Sequence, residues 1–270
     1  ELCIQGGFDR WQVRYDNALT TGRMTTTGHV LGEGVGLRQC LEAVKDAFDE
    51  AEYAGLACAI KNCGIGNGLE EISDTRLKVV GPDRIDLHHG WTEMGQGIHT
   101  LARQILCEVL GFNNSVEIAV KCSTAAEAKG GVTTASRGTV LLGNSIIAAA
   151  QKLKVDREGR LLADLVGKEY FARYVVDWTT DHHVEGEIVS HFSYGFASQL
   201  AVLDNDVKLQ AIHAAHDGGK IINPILYEGQ IEGGVVMCIG YALSEKLPLK
   251  DGRLTSQLMS KLGLPKAKDV

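Results

Sequence analysis

Proline is scarce in this chain, four in 270 residues, and aromatics make up only 6% of it. With 32 glycines beside them, that balance implies many tight turns rather than disorder. There is no dense run of Lys or Arg, and the net charge is −7. Nucleic acid and anionic membrane are therefore excluded as partners, and any anionic ligand must be held by local donors instead of a general positive field. A signal peptide and any long apolar run are also missing, so the seven cysteines read as reduced, structural and mostly buried thiols of a cytoplasmic protein. Cys58-x4-Cys63 has no third and fourth cysteine at suitable spacing, which excludes a ferredoxin-type cluster. His88-His89 and His182-His183 lack carboxylate or cysteine company and read as surface or strand histidines. Ser136 has no Gly-x-Ser-x-Gly context, and no carboxylate pair is placed by spacing for acid–base work, so a hydrolase triad is not expected.

What is present is an ordinary globular composition, 44% apolar and 23% charged, long enough for one large or two ordinary domains. The stretch Gly90-Trp91-Thr92-Glu93-Met94-Gly95-Gln96-Gly97 stands out. Upstream, Leu77–Val80 and Arg84–Leu87 predict two short strands around a Gly81-Pro82-Asp83 turn. Downstream, Ile98, Leu101, Ala102, Ile105, Leu106, Val109 and Leu110 recur at helical spacing up to Gly111. Strand, glycine-rich turn and helix in that order leave backbone N–H groups facing outward at the helix start, where an anion is favoured. The amide of Gln96 can both donate and accept. It is not a P-loop, because no Gly-Lys-Ser/Thr follows, nor a dinucleotide fingerprint, because no third glycine opens the helix. A plain connector and a site for a flat heterocycle bearing phosphate both remain open on this pattern.

Two further helix starts have a similar make-up. Lys129–Thr139 places Thr133, Thr134, Ala135, Ser136 and Arg137 before an apolar helix from Val140 to about Leu153. Its hydroxyls read as ordinary caps. Arg137 is less ordinary, since a cation at a helix N-terminus needs an anion to neutralise it, which points toward phosphate. Asn223-Pro224 and Glu228-Gly229-Gln230-Ile231-Glu232-Gly233-Gly234 open a third apolar helix through Leu243. Elsewhere the pattern predicts an amphipathic helix over 36–53, a buried strand at Leu56–Ile60, a strand at Val116–Val120 and a long hairpin over 194–214. Residues 1–35 read as turn-rich and 153–170 as polar and irregular. The sum is an α+β fold, with strands backed by three apolar helices.

In order and approximate separation, Thr92-Glu93-Met94-Gly95-Gln96-Gly97, Thr133-Thr134-Ala135-Ser136-Arg137 and Asn223-Pro224…Gly229-Gln230-Ile231-Glu232-Gly233 resemble the successive molybdopterin-contacting motifs of the xanthine dehydrogenase/aldehyde oxidase large subunit. Arg14–Leu19, Gly55–Ala59 and Gly240–Leu243 extend the likeness over nearly the whole chain. One departure is Trp91, where the family most often has glycine. The resemblance implies mixed sheets with packed helices, residues 1–56 forming the tail of a first molybdenum-binding domain and 57–270 most of a second. It implies that Met94, Gly95, Gln96 and Gly97 line one side of a molybdenum–molybdopterin cofactor, in bacteria often the cytosine dinucleotide. Thr133, Thr134, Ala135, Ser136 and Arg137 would hold another side with its phosphate, and Gln230 would hydrogen-bond the pterin. The implied activity is hydroxylation of a purine, another N-heterocycle or an aldehyde with water as oxygen source, an oxidoreductase reaction. Electrons would leave through [2Fe–2S] clusters and FAD on partner domains or subunits. The family's catalytic Glu lies beyond an Asp-Val-Pro segment, so the resemblance puts it past Val270, supplies no catalytic residue here, and implies an inactive fragment. The alternative function is a noncatalytic assembly module that keeps the scaffold without cofactor.

Overall fold

A computed structural model describes residues 1–113, 115–181 and 183–266. The chain divides into two units, Glu1–Ile222 and Asn223–Val270.

The first unit holds two sheets, each backed by its own helices. β2 (Glu71–Gly81), β3 (Arg84–His89), β4 (Glu117–Cys122) and β5 (Glu169–Val176) make a four-stranded sheet in the order β4-β3-β2-β5. β3 and β4 run parallel, which requires a crossover, and α5 (Ile98–Leu110) supplies it. α6 (Gly138–Asp156) packs beside α5. Leu77, Val79, Ile85, Leu87 and Ile118 from the strands meet Ala102, Ile105, Leu106, Leu142, Ile146 and Leu153 from the two helices in one core. The second sheet, in the order β1-β6-β7, joins β1 (Tyr53–Cys63), β6 (Ser193–Leu203) and β7 (Leu209–Asp217) in antiparallel register. Its core is Leu56, Phe196 and Leu200 against Trp11 of α2 (Arg10–Asn17), Leu37 and Leu41 of α3 (Leu37–Glu42), and Val44.

The three expected apolar helices and the hairpin are present, but other segments differ. The helix expected over 36–53 is two short ones, α3 and α4 (Lys45–Glu50), because the chain leaves helical geometry at Val44 (φ −109°, ψ 4°). Residues 1–35 are not wholly turns: α1 (Leu2–Gly6) is followed by α2, whose start is closed by Asp9 accepting from the Gln12 N–H. The thiols are not mostly buried either, since only Cys40 is, while Cys58, Cys122 and Cys238 are exposed. His88 and His89 lie in β3, with His89 completely buried; His182 lies outside the described residues.

The second unit is dominated by α7 (Pro224–Leu243). Asn223 caps it through the Leu226 N–H at 3.0 Å, and Pro224 sits where its missing N–H costs nothing.

Candidate functional site

β2 alternates with period two, so Glu71, Ser73, Thr75, Leu77 and Val79 all face the helices. The last two belong to the apolar core, whereas the first three put polar groups into the interior, where each must find a partner. Ser73 accepts from the Trp91 indole N–H at 2.9 Å and lies 3.1 Å from Ser145 Oγ, which is also 2.7 Å from Thr75 Oγ1. Ser145 donates in turn to the Leu142 carbonyl at 2.9 Å. Glu71 is the remaining case. Its Oε2 accepts from Arg137 Nη1 at 2.8 Å and its Oε1 from the Gly66 N–H at 3.0 Å. Both members of this ion pair are buried. The anion that Arg137 requires at the start of α6 is therefore Glu71. Its other N–H groups reach the Val132 carbonyl, from Nε at 3.0 Å and Nη2 at 2.6 Å, and its guanidinium lies 5.1 Å from the centre of the Trp91 ring.

The 90–97 turn and the 129–137 loop are brought together, and two glycines permit it. A Cβ on Gly90 would strike the Ala128 carbonyl oxygen and come within 2.6 Å of the Gly130 nitrogen. A Cβ on Gly130 would lie 2.7 Å from the Gly90 carbonyl carbon. The Thr92 N–H also donates to Thr133 Oγ1 at 3.2 Å. Trp91, the bulky departure from the resembled motif, is fully buried under the junction and packs toward Gly130 and Gly138.

Each turn organises its own donors. At the start of α5 the anion is Glu93: Oε1 accepts from the Gly95 and Gly97 N–H groups at 2.8 and 3.0 Å, and Oε2 from the His99 N–H at 3.1 Å. Burial alone would raise the Glu93 pKa, but those three donors outweigh it and hold the carboxyl below its ordinary value. Gln96 closes the same turn, accepting from the Met94 N–H at 2.6 Å and donating to the Thr92 carbonyl at 2.8 Å, which leaves one amide N–H for another partner. Met94 and Gly95 are exposed. Beside them, the hydroxyls expected to cap α6 do not. Arg137 is the N-cap residue without a side-chain cap, and Thr134 and Ser136 make no side-chain hydrogen bond among the described residues. Ala135 and Ser136 both stand in the left-handed region, φ 56° and 51°, an uncommon conformation for residues with a Cβ.

Behind the α5 turn, His89 Nδ1 accepts from the Trp91 N–H at 3.0 Å, and its ring lies 5.1 Å from that of His99. The Nε2 atoms of both rings are buried without a partner among the described residues. Burial, with the neighbouring His99 adding to it, lowers the His89 pKa from 6.5 to about 4.

Of the residues singled out from sequence, the turn that carries Met94, Gly95, Gln96 and Gly97 and the loop that carries Thr133, Thr134, Ala135 and Ser136 meet at Gly90–Gly130 and Thr92–Thr133. Met94, Gly95, Thr134 and Ser136 are exposed, in what we term a shelf, and Arg137 is buried. Gln230 is on α7, in the second unit. Two open cavities lie elsewhere in the first unit. One, of about 580 Å³, is lined by Cys40, His216 and Asp217, and one of about 680 Å³ by Arg76, Ala128, Lys129, Phe171 and Arg173, so that it borders the start of the 129–137 loop. Neither takes in a residue of 90–97 or 131–137. Sequence reading missed Glu71 and Trp91 as the supports of the shelf. The parity of Glu71-Ser73-Thr75 with Leu77 and Val79 was the available signal.

The fold is that of a molybdopterin cofactor-binding domain, and it recurs as part of longer solved chains. The aldehyde oxidoreductase of Desulfovibrio desulfuricans ATCC 27774 superposes with a TM-score of 0.78 at 19% identity, over 98% of this chain and 32% of that one. Reconstituted CO dehydrogenase from Oligotropha carboxidovorans gives 0.79 at 16% identity, over 99% and 41%. Residues 41–162 and 155–270 match the molybdopterin cofactor-binding domain, and the chain belongs to that family. Among its relatives, a probable xanthine dehydrogenase subunit from Bacillus subtilis (strain 168) is 29% identical over 98% of this chain and 41% of its own length. The nicotine 6-hydroxylase large subunit of Paenarthrobacter nicotinovorans is 27% identical over 80% and 32%. The chain therefore spans well under half the length of these relatives.

Proposed function

We propose that this chain is the molybdopterin-holding part of a molybdenum hydroxylase, an oxidoreductase that hydroxylates a purine, another N-heterocycle or an aldehyde with oxygen from water. The observation that carries the reading is the junction of the two loops at Gly90 and Gly130, which joins the turn bearing the spare Gln96 N–H to the loop bearing the Thr134 and Ser136 hydroxyls. Such a shelf fits a phosphate-bearing pterin held by hydrogen bonds. The Thr134 and Ser136 hydroxyls and the backbone around them would take the phosphate, and the spare N–H of Gln96 would face the heterocycle. Arg137 would serve from below by holding the loop. Gln230, in the second unit, is proposed on the resemblance alone as a hydrogen-bonding partner of the pterin. When bound, the molybdenum centre supplies two-electron redox chemistry; the chain's own residues bind and orient.

On this reading residues 1–56 are the tail of a first molybdenum-binding domain and 57–270 most of a second. The rest of the large subunit would close the open side of the shelf, and iron–sulfur and FAD domains or subunits would accept the electrons. The cytosine dinucleotide is the proposed nucleotide form, and the cytoplasm the proposed location; among the described residues no helix is long and apolar enough to cross a membrane. By itself the polypeptide is expected to turn over no substrate. The three carboxylates that touch these loops, Glu71, Asp74 and Glu93, are all committed to internal donors, which leaves none free to act as a base.

The test is to purify the full chain from cells that make molybdopterin, then measure molybdenum by metal analysis and pterin by fluorescence after oxidation. Both should copurify, and dye reduction with purines or aldehydes should be absent. A well-folded chain carrying neither would sink the proposal in favour of a noncatalytic assembly module.

A further inference from the structure

We propose that Glu71 is a positioning residue for cofactor binding, acting through Arg137 to set the shape of the 130–136 loop; the inference rests on the function proposed above. The loop is held at both ends by β2. At its start, the buried Asp74 accepts from the Lys129 N–H at 3.1 Å and returns its own N–H to the Lys129 carbonyl at 2.7 Å. Arg173 fixes that carboxylate by a fork, Nε at 2.7 Å and Nη2 at 2.9 Å. At the loop's end, Glu71 takes Arg137. Residues 71 and 74 differ in parity, so one strand grips the loop from both of its faces.

Between these anchors, Arg137 is turned inward onto the carbonyls of Val132 and Gly130. A guanidinium can reach a carboxylate and two carbonyls at once because its donors are spread over a planar fork; the three donors of an ammonium leave a single nitrogen and do not span the same acceptors. With those carbonyls drawn inward, Ala135 and Ser136 take their left-handed turn, and the Ala135 carbonyl accepts from the Gly64 N–H at 3.0 Å. Glu71 secures that neighbour as well, through Gly66. Thr134 and Ser136 are exposed, while the Thr134 N–H donates to the Val132 carbonyl at 3.1 Å and Thr133 Oγ1 accepts from the Thr92 N–H. Without the Glu71 charge a buried guanidinium would be uncompensated and would swing toward water, taking Val132 with it.

The experiment compares the full chain with Arg137→Lys, which keeps the ion pair but loses the fork, and with Glu71→Leu/Arg137→Met, which removes both charges and leaves neither unpaired. Pterin per chain, thermal melting and hydrogen exchange at the Gly64 amide are measured together. The expected result is that both variants melt within about 4 °C of wild type, carry less than about one-tenth of its pterin, and exchange Gly64 at least about tenfold faster while α6 is unchanged. Wild-type pterin content and Gly64 protection in both variants would overturn the inference. If wild-type chain holds no pterin, the functional reading fails, and the Gly64 exchange still decides whether Glu71 and Arg137 set the loop.

Discussion

Glu93 stands where a ligand anion was expected from sequence, at the N-terminus of α5, and it accepts three N–H groups there. Glu93→Ala would leave those donors to water on an exposed turn. The expected cost is about 1–2 kcal/mol in chemical denaturation, and a midpoint unchanged from wild type would show the cap to be idle. Behind the same turn, His89 is buried in its neutral form. Its pKa falls from 6.5 in the unfolded chain to about 4 in the folded one, so between those pH values the unfolded state binds more protons. Stability from this group is complete above pH 6.5 and is lost as pH falls toward 4, a change of about 3 kcal/mol. His89→Asn keeps an acceptor for the Trp91 N–H and does not titrate. Denaturation curves from pH 7 to 4 should therefore fall less steeply in the variant by about that amount; parallel curves would contradict it. At this scale the sequence was only half legible. Arg137 could be seen to need an anion, but a lone Glu at the polar end of a strand carries no mark that it is the partner.

Elements were more legible, and the reason is periodicity. α5 was visible because its apolar residues repeat at 3.6, and β2 was visible only from Leu77 on, where its inward side chains become apolar. The helix expected over 36–53 failed because Leu37, Cys40, Leu41 and Val44 repeat at helical spacing across the join, and no Gly or Pro marks the break between α3 and α4. Packing between elements was invisible, since it depends on residues far apart in sequence. Gly90 and Gly130 are an example, as each looks like an ordinary turn glycine. Gly90→Ala should press a methyl group into the backbone of the second loop, destabilising the chain by about 1–3 kcal/mol and parting the loops. The Thr92 amide, which donates to Thr133, should then lose its hydrogen-exchange protection. Retained protection would mean that the loops give way without separating. A deletion inside the helical layer tests something else: Leu106→Ala, at a fully buried position, should cost about 2–5 kcal/mol without touching the shelf.

For the whole molecule, the order of three glycine-bearing helix starts along the sequence pointed to the family, because each helix start keeps its own local chemistry wherever it sits. What sequence could not supply is how much apolar surface the chain leaves uncovered. α7 has twenty residues, yet Gly240 is the one buried residue in it, and Ile225, Met237, Tyr241 and Leu243 are 80, 71, 85 and 67% exposed. Met237 and Tyr241, one turn apart on the same face, make an exposed apolar patch of the kind that marks a contact face or an aggregation liability. A net charge of −7 opposes association in general, but it does not act locally, since α7 carries only Glu228 and Glu232. The isolated chain should therefore self-associate through this helix as concentration rises. Tyr241→Lys together with Met237→Lys should suppress it in sedimentation velocity. Because both side chains are already in water, the denaturation midpoint should move by no more than the equivalent of about 0.5 kcal/mol each. If the double variant associates as wild type does, the sticky surface lies elsewhere. If it instead loses several kcal/mol, α7 is covered in solution, and the exposure of its apolar side chains does not describe the free chain.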